Sequence, residues 1–204
     1  MVINIETDYK DRLDCLWNKQ TPEIVNRGYA LEKELWTGSL LELGLNPSSG
    51  EGNGSFFYTA QADKYFTKPI ELAAEHCQKL SHHDLFFIRE TSQDTVLSLK
   101  ENNPDFFEEQ LKITKEIITR VQPKMIVIIN AKACRLFKKM YNFEPVKYWN
   151  ESLGVDILPQ LGNIPVLFSG MLSGQRALDV GSFVRLKWHV RHICRELNIH
   201  FDNA

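Results

Sequence analysis

Leu40-Leu-Glu-Leu-Gly-Leu-Asn-Pro-Ser-Ser-Gly-Glu-Gly-Asn-Gly54 is the stretch that decides the fold. A near-continuous apolar run stops at Asn46-Pro47 and gives way to small polar residues and glycines, as a buried strand does where it ends at a turn. Downstream, Lys124-Met-Ile-Val-Ile-Ile-Asn130 is uniformly apolar and mostly β-branched in its middle, the pattern of a strand buried on both faces. Asp84-Leu-Phe-Phe-Ile88 reads as a second short strand. Val155–Leu158 and Ile164–Phe168 flank Pro159-Gln-Leu-Gly-Asn163 as a hairpin with a five-residue loop.

Helical spacing fills the intervals. Tyr9, Leu13, Leu16 and Trp17 predict a first helix. Thr21-Pro22 reads as an N-cap and first-turn proline opening a second, with Ile24, Leu31 and Leu35 on one face and Val25, Tyr29 and Trp36 widening it. Gln61 to Leu80 reads as mostly helical, with a break or fresh start at Pro69. Asn103-Pro-Asp starts a helix carrying Phe107, Leu111, Thr114, Ile118 and Val121, which Pro123 stops. Ala131–Met140 is a short helix, and Arg176 or Val180 to Leu197 closes the chain. Strands alternating with helices predict an α/β fold, a three-layer α/β/α sandwich on a short, mostly parallel sheet, with residues 1–37 as a helical elaboration of a single domain spanning 1–204.

Composition narrows the class. The 204 residues are 43% hydrophobic and 25% charged, ordinary globular usage. The four cysteines, Cys15, Cys77, Cys134 and Cys194, are widely spread and form no CxxC pair, as expected of buried thiols in a reducing, cytoplasmic setting. No basic region followed by an apolar run opens the chain, so no signal peptide is expected, and no stretch approaches a membrane helix. A formal net charge of −2 argues against a protein that coats nucleic acid, while leaving room for a local basic face.

Ligands of parallel sheets bind outside the carboxyl ends of the strands. The loop Asn46 to Gly54 is therefore the first candidate site, with Asn46 at the strand tip, Pro47 fixing the turn, and Ser48 and Gly50 presenting polar groups. It lacks the Lys-Ser or Lys-Thr of a P-loop and is not a GxGxxG fingerprint. Phe56 or Phe57 is a candidate wall for stacking a flat base. The second candidate is Phe168-Ser-Gly-Met-Leu-Ser-Gly-Gln-Arg-Ala-Leu-Asp179, with Ser169 and Ser173 facing a ligand and Arg176, Arg185 and Lys187 facing phosphate. His82-His83-Asp84 invites a metal, but neighbours in an extended segment point to opposite faces, so no metal or other cofactor is expected. No GxSxG elbow is present. Tyr148, Trp149 and the Phe143 region would be the contact surface of a purely protein-binding domain.

The two loops resemble the uracil-DNA glycosylase superfamily. Gly44-Leu-Asn-Pro47 is similar to the first motif of its mismatch-specific branch, Ser169-Gly-Met-Leu-Ser173 is similar in placement to its second motif, and Gln122 to Ala133 resembles its buried third strand and following turn. The likeness spans about residues 38 to 195. It implies that Asn46 orients or activates an attacking water, that Phe56 or Phe57 stacks the base, and that Ser169 to Arg176 approaches DNA. Such enzymes flip the base out of the stack before cleaving its glycosidic bond. The family's second-motif histidine has no counterpart at Phe168-Ser169-Gly170, and Ile88-Arg89-Glu90 stands where a base-reading asparagine is expected. The implied partner is DNA or a nucleobase-containing ligand. The alternative is a non-catalytic nucleotide or small-ligand binding domain on the same scaffold.

Overall fold

The structure, a computed structural model, describes residues 1–48, 50, 52–76, 80–174 and 176–201. Cys77, Ser49 and Glu51 of the first candidate loop and Gln175 of the second lie outside the described residues.

The chain opens with β1 (Val2–Asn4) and α1 (Ile5–Trp17), the latter capped by the Asn4 side chain accepting from the Thr7 amide. Ile5, Tyr9, Leu13 and Trp17 are its buried stripe, as the spacing predicts. The second helix, α2 (Pro22–Arg27), is far shorter than its apolar pattern suggests. Gly28 stops it at φ 72°, where a Cβ would fall 2.3 Å from the Gly54 carbonyl carbon. The expected helical positions Leu31 and Leu35 lie instead in two short strands, β2 (Ala30–Glu32) and β3 (Glu34–Trp36). The first 37 residues, expected to be helical, thus mix two helices with three short strands.

β4 (Leu40–Gly44) is the first core strand. After β5 (Phe56–Tyr58), the chain makes two 3-10 turns, Ala60–Ala62 and Lys64–Phe66, before α3 (Thr67–Ala74). The break or fresh start expected at Pro69 is a fresh start: the 3-10 turns end at Phe66 and the proline sits in the first turn of α3, where its missing N–H has no intrahelical partner to lose. β6 (Ser81–Asp84) is the second core strand and begins ahead of the apolar run that predicts it. Leu85 to Ile88 only prolongs the ladder, with the Leu85 and Phe86 amides donating to the Gly44 and Leu45 carbonyls. α4 (Gln93–Asn102), capped by Ser92, has no counterpart in the sequence reading. α5 (Pro104–Val121), β7 (Met125–Ile129) and α6 (Ala131–Met140) follow as expected. α7 (Pro145–Tyr148) and β8 (Trp149–Asn150) lead into the hairpin β9 (Val155–Leu158) and β10 (Ile164–Ser169), and α8 (Val180–Glu196) is the last helix.

The main sheet has the order β6-β4-β7-β10-β9-β8, parallel from β6 to β10 and antiparallel beyond. The chain passes from β4 to one neighbour, β6, and then crosses back to the other, β7. That reversal opens a crevice at the strand ends, where open α/β sheets bind ligands. Alternate side chains feed two cores. Leu41, Leu43, Ile126 and Ile128 pack with α1, α5 and α6, while Leu40, Met125, Val127 and Ile129 pack with α8. Helices thus cover both faces, and the working edge is left to the loops.

Candidate functional site

The parallel register sets the site. Leu43 pairs with Ile128 and Ile129 with Ser169, so the loops after Asn46 and Ser169 leave the same edge of the sheet with only β7 between them. At roughly 4.8 Å per strand, the two strand ends lie roughly 10 Å apart. Beside them is a cavity of about 480 Å³, within the size range of ligand sites. Asn46, Pro47, Ser48, Gly50 and Phe56 all line it. From the second loop it takes Met171 rather than Ser169 or Ser173. Ser173 acts one step away, donating its hydroxyl proton to the carbonyl of Tyr65, itself a wall residue.

Asn46 is fixed by its amide nitrogen, which donates to the Glu90 carbonyl at 2.6 Å and to the Pro47 carbonyl at 2.8 Å. The Glu90 amide returns a bond to the Pro47 carbonyl at 3.0 Å. Among the described residues no hydrogen bond engages the amide oxygen, the atom that can serve a ligand or a water. Arg89, buried at 3% exposure, braces the loop: its guanidinium donates to the Gly54 carbonyl at 2.7 Å and the Gly52 carbonyl at 3.0 Å. It also lies 4.8 Å from the Phe56 ring centroid, a cation–π contact that orients that ring.

Strand alternation separates the aromatics. Phe56 and Tyr58 face the cavity. Phe57 points the other way and packs edge-on against Tyr29 at 5.8 Å, in the core. Of the two candidate stacking residues, only Phe56 is in the wall. Phe66 stacks on Tyr58 with ring centroids 5.8 Å apart and planes 13° from parallel, extending the apolar side.

The floor is charged, and sequence reasoning missed its meaning. Glu42, His82 and Asp84 lie on one face of β4 and β6, with Glu42 opposite His82 and Gly44 opposite Asp84 in register. His82 Nδ1 donates to Glu42 Oε1 at 2.9 Å, and its Nε2 lies 3.6 Å from Asp84 Oδ2. Burial alone would lower the His82 pKa, but the two carboxylates outweigh it and push it up to about 10. Burial raises Glu42 against the pull of His82. Gly44 makes room for this arrangement: a Cβ there would fall 2.0 Å from Asp84 Oδ1. Asp84, 9% exposed, opens into the cavity. Behind it, Glu32 accepts from the Ala60 amide at 2.7 Å, and burial pushes its carboxyl up to about 7. His83 faces the opposite side of β6, against Phe87, where burial drives its pKa down to about 3. Among the described residues no group of three His, Cys, Asp or Glu side chains is placed to hold a metal ion. The available signal was the polar run Ser81-His-His-Asp84, which is intelligible as a strand only once its partner Glu42 is known.

The expected basic face of α8 dissolves in part. Lys187 is paired with Glu71 of α3 at 2.6 Å and with Glu75, just past its end, at 2.8 Å, which neutralises it. Arg176 is exposed, and Arg185 is exposed with a bond to the Ser182 hydroxyl at 3.1 Å. Tyr148 is buried and Phe143 packs edge-on against it at 5.0 Å, so of the proposed protein-contact aromatics only Trp149, at 52%, is exposed. Cys15 is exposed rather than buried, whereas Cys194 is buried. No described helix is long and apolar enough to cross a membrane. No model of a known protein family matches the chain, and no curated protein matches it.

Proposed function

We propose that the cavity takes one flat nucleobase, and that the chain is a divergent domain of the uracil-DNA glycosylase type that hydrolyses the N-glycosidic bond of a flipped nucleotide. The observation that carries this reading is the convergence of Asn46 and Pro47, from the Gly-Leu-Asn-Pro motif, with Phe56, Tyr58 and Phe66 around one 480 Å³ cavity at the strand ends. An α/β/α sandwich of that family would place its base pocket at this edge. In the reaction the carbon–nitrogen bond breaks with its electron pair leaving on the base. A water held by the Asn46 amide oxygen adds its oxygen to the sugar carbon, and the departing base takes up the water's proton. An amide positions a water but is no base, so the mechanism is dissociative.

Asp84 sharpens the substrate class. A carboxylate only accepts hydrogen bonds, whereas an asparagine both donates and accepts. A ring that meets Asp84 must therefore present N–H donors; the N3–H of uracil is flanked by two carbonyl oxygens that a carboxylate repels, which favours amino-bearing bases. A carboxylate in the floor also opposes the build-up of negative charge on the leaving base, so the base must gain its proton as the bond breaks.

The test is release of free base from oligonucleotides carrying a panel of deaminated, mismatched and amino-bearing bases. Release is expected for at least one amino-bearing base, and Asn46→Ala is expected to abolish it. Absence of release across the panel removes the enzymatic reading. The second reading, a non-catalytic nucleotide or small-ligand binding domain, draws on the engagement of the Asn46 amide nitrogen with two backbone carbonyls, a role that holds a loop without catalysis. It predicts thermal protection by nucleosides without turnover.

A further inference from the structure

A second recess lies elsewhere, a groove of about 860 Å³ between α4, α5 and α6. Lys100, Lys112, Lys115, Lys132, Arg135 and Lys139 line it against only Asp94 and Glu108, a positive strip on a chain of net charge −2. Lys132 is paired with Asp94 at 2.6 Å, and Lys112 lies 3.5 Å from Glu109. Among the described residues, Lys100, Lys115, Arg135 and Lys139 have no acidic partner within ion-pair distance. Lys132, Arg135 and Lys139 recur at helical spacing along one face of α6 and span about 10 Å of helix. That is about three charges of a nucleic-acid strand at about 3.4 Å each. The floor between the cations is apolar, formed by Leu97, Phe107, Leu111 and Leu136.

Position links this groove to the nucleobase cavity. Asn130 lines the cavity, and Lys132, two residues on, lines the groove. Gln93 and Asp94 make the same step at the start of α4. A chain whose base sits beside Asn46 would leave the cavity over this rim. The alternative basic element, α8, has Lys187 neutralised by Glu71 and Glu75 and Arg191 within 3.9 Å of Glu75.

We propose that the groove between α4, α5 and α6 binds the sugar–phosphate backbone of the nucleic-acid strand whose base enters the Asn46 cavity. This rests on the nucleobase reading and adds to it the surface that holds the strand. Cations on the rim neutralise successive phosphates, while the apolar floor takes sugar and base faces.

The experiment is fluorescence anisotropy of a labelled single-stranded oligodeoxynucleotide over a series of salt concentrations, for the whole chain and for Lys100→Glu/Lys139→Glu, Arg135→Ala and Arg176→Ala/Arg185→Ala. In parallel, thermal protection by free nucleosides reads the cavity alone. The groove variants are expected to lose affinity, the double reversal by at least about 10-fold at low salt, and the log–log salt slope to flatten by about 0.7 per phosphate contact removed. Protection by nucleosides is expected to stay as in the unaltered chain. Unaltered affinity in the groove variants, a larger loss in the Arg176/Arg185 variant, or no oligonucleotide binding by the unaltered chain overturns the proposal. So does competition by poly-glutamate equal to that by DNA of the same charge, which would assign the groove to an acidic protein. If nucleosides fail to protect while the groove variants still lose oligonucleotide affinity, the cavity reading fails and the groove stands.

Discussion

Replacing Glu32 with Gln tests the electrostatics behind the cavity. Glu32 is 4% exposed and accepts from the Ala60 amide, and its carboxyl is pushed from an ordinary 4.5 to about 7. A raised pKa means that the native state holds this proton more tightly than the unfolded chain does. Stability from this group is therefore complete below pH 4.5, falls as pH rises towards 7, and stays lost above it. The pKa difference, at 1.36 kcal/mol per unit, corresponds to about 3 kcal/mol. For a domain of this size, that is roughly 6–12 °C in melting temperature. Glutamine keeps an oxygen for the Ala60 amide but cannot ionise, so the variant should lack this fall. Any constant offset from the new amide cancels when the two pH profiles are subtracted. The assay is thermal unfolding of both proteins from pH 4.5 to 8, and the gap between their melting temperatures should move in favour of Glu32→Gln as pH rises. His83 is common to both proteins and drops out of the difference, and His82, pushed up to about 10, keeps its charge in the native state across the range, so its pull on Glu32 is constant. Parallel profiles over that range would refute the reasoning and mean that Glu32 is already ionised in the native state at acid pH.

Gly44→Ala should push the Asp84 carboxylate from the cavity floor, because the new methyl would fall 2.0 Å from Oδ1 and 3.5 Å from His82 Cε1. Loss of a charged hydrogen bond is worth about 1.5–3 kcal/mol, so nucleoside affinity by calorimetry should drop about 10-fold or more; unchanged affinity would remove Asp84 from recognition. Gln110→Leu should destabilise the fold by about 2–6 kcal/mol in urea unfolding, since it orphans two backbone donors. The Gln110 oxygen accepts from the Phe87 amide at 3.0 Å and the Ile88 amide at 3.2 Å, and its own amide donates to the Phe106 carbonyl at 3.3 Å. A loss under about 1 kcal/mol would mean that water takes over those donors.

What could be read from the sequence was what periodicity carries. β7, α5, α6 and the hairpin of β9 and β10 lie where their apolar patterns put them, because each buries a face that the pattern itself defines. That the loop after β4 would line a cavity was legible for the same reason, since a buried strand ending in small polar residues has one place to point. Leu31 and Leu35 misled because their spacing fits a helix as well as two short strands, and the decision belongs to Gly28, which meets Gly54 across the fold. β6 was misplaced because its residues are polar and yet wholly buried, compensated by Glu42, a partner from another strand. Lys187 looked free because Glu71 and Glu75, more than a hundred positions earlier, are invisible to local charge counting. Each failure is a contact distant in sequence.

The contact between Gly28 and Gly54 reaches beyond local backbone geometry. Ala30, two residues on, is itself in the cavity wall, and the Arg27 carbonyl accepts from Arg89 at 3.3 Å. The opening segment is thus a jamb of the doorway rather than an annex to the building. A shortened chain begun at Ser39, in front of the first core strand, would lose the recess together with the buried stripe of α1 that roofs one face of the sheet.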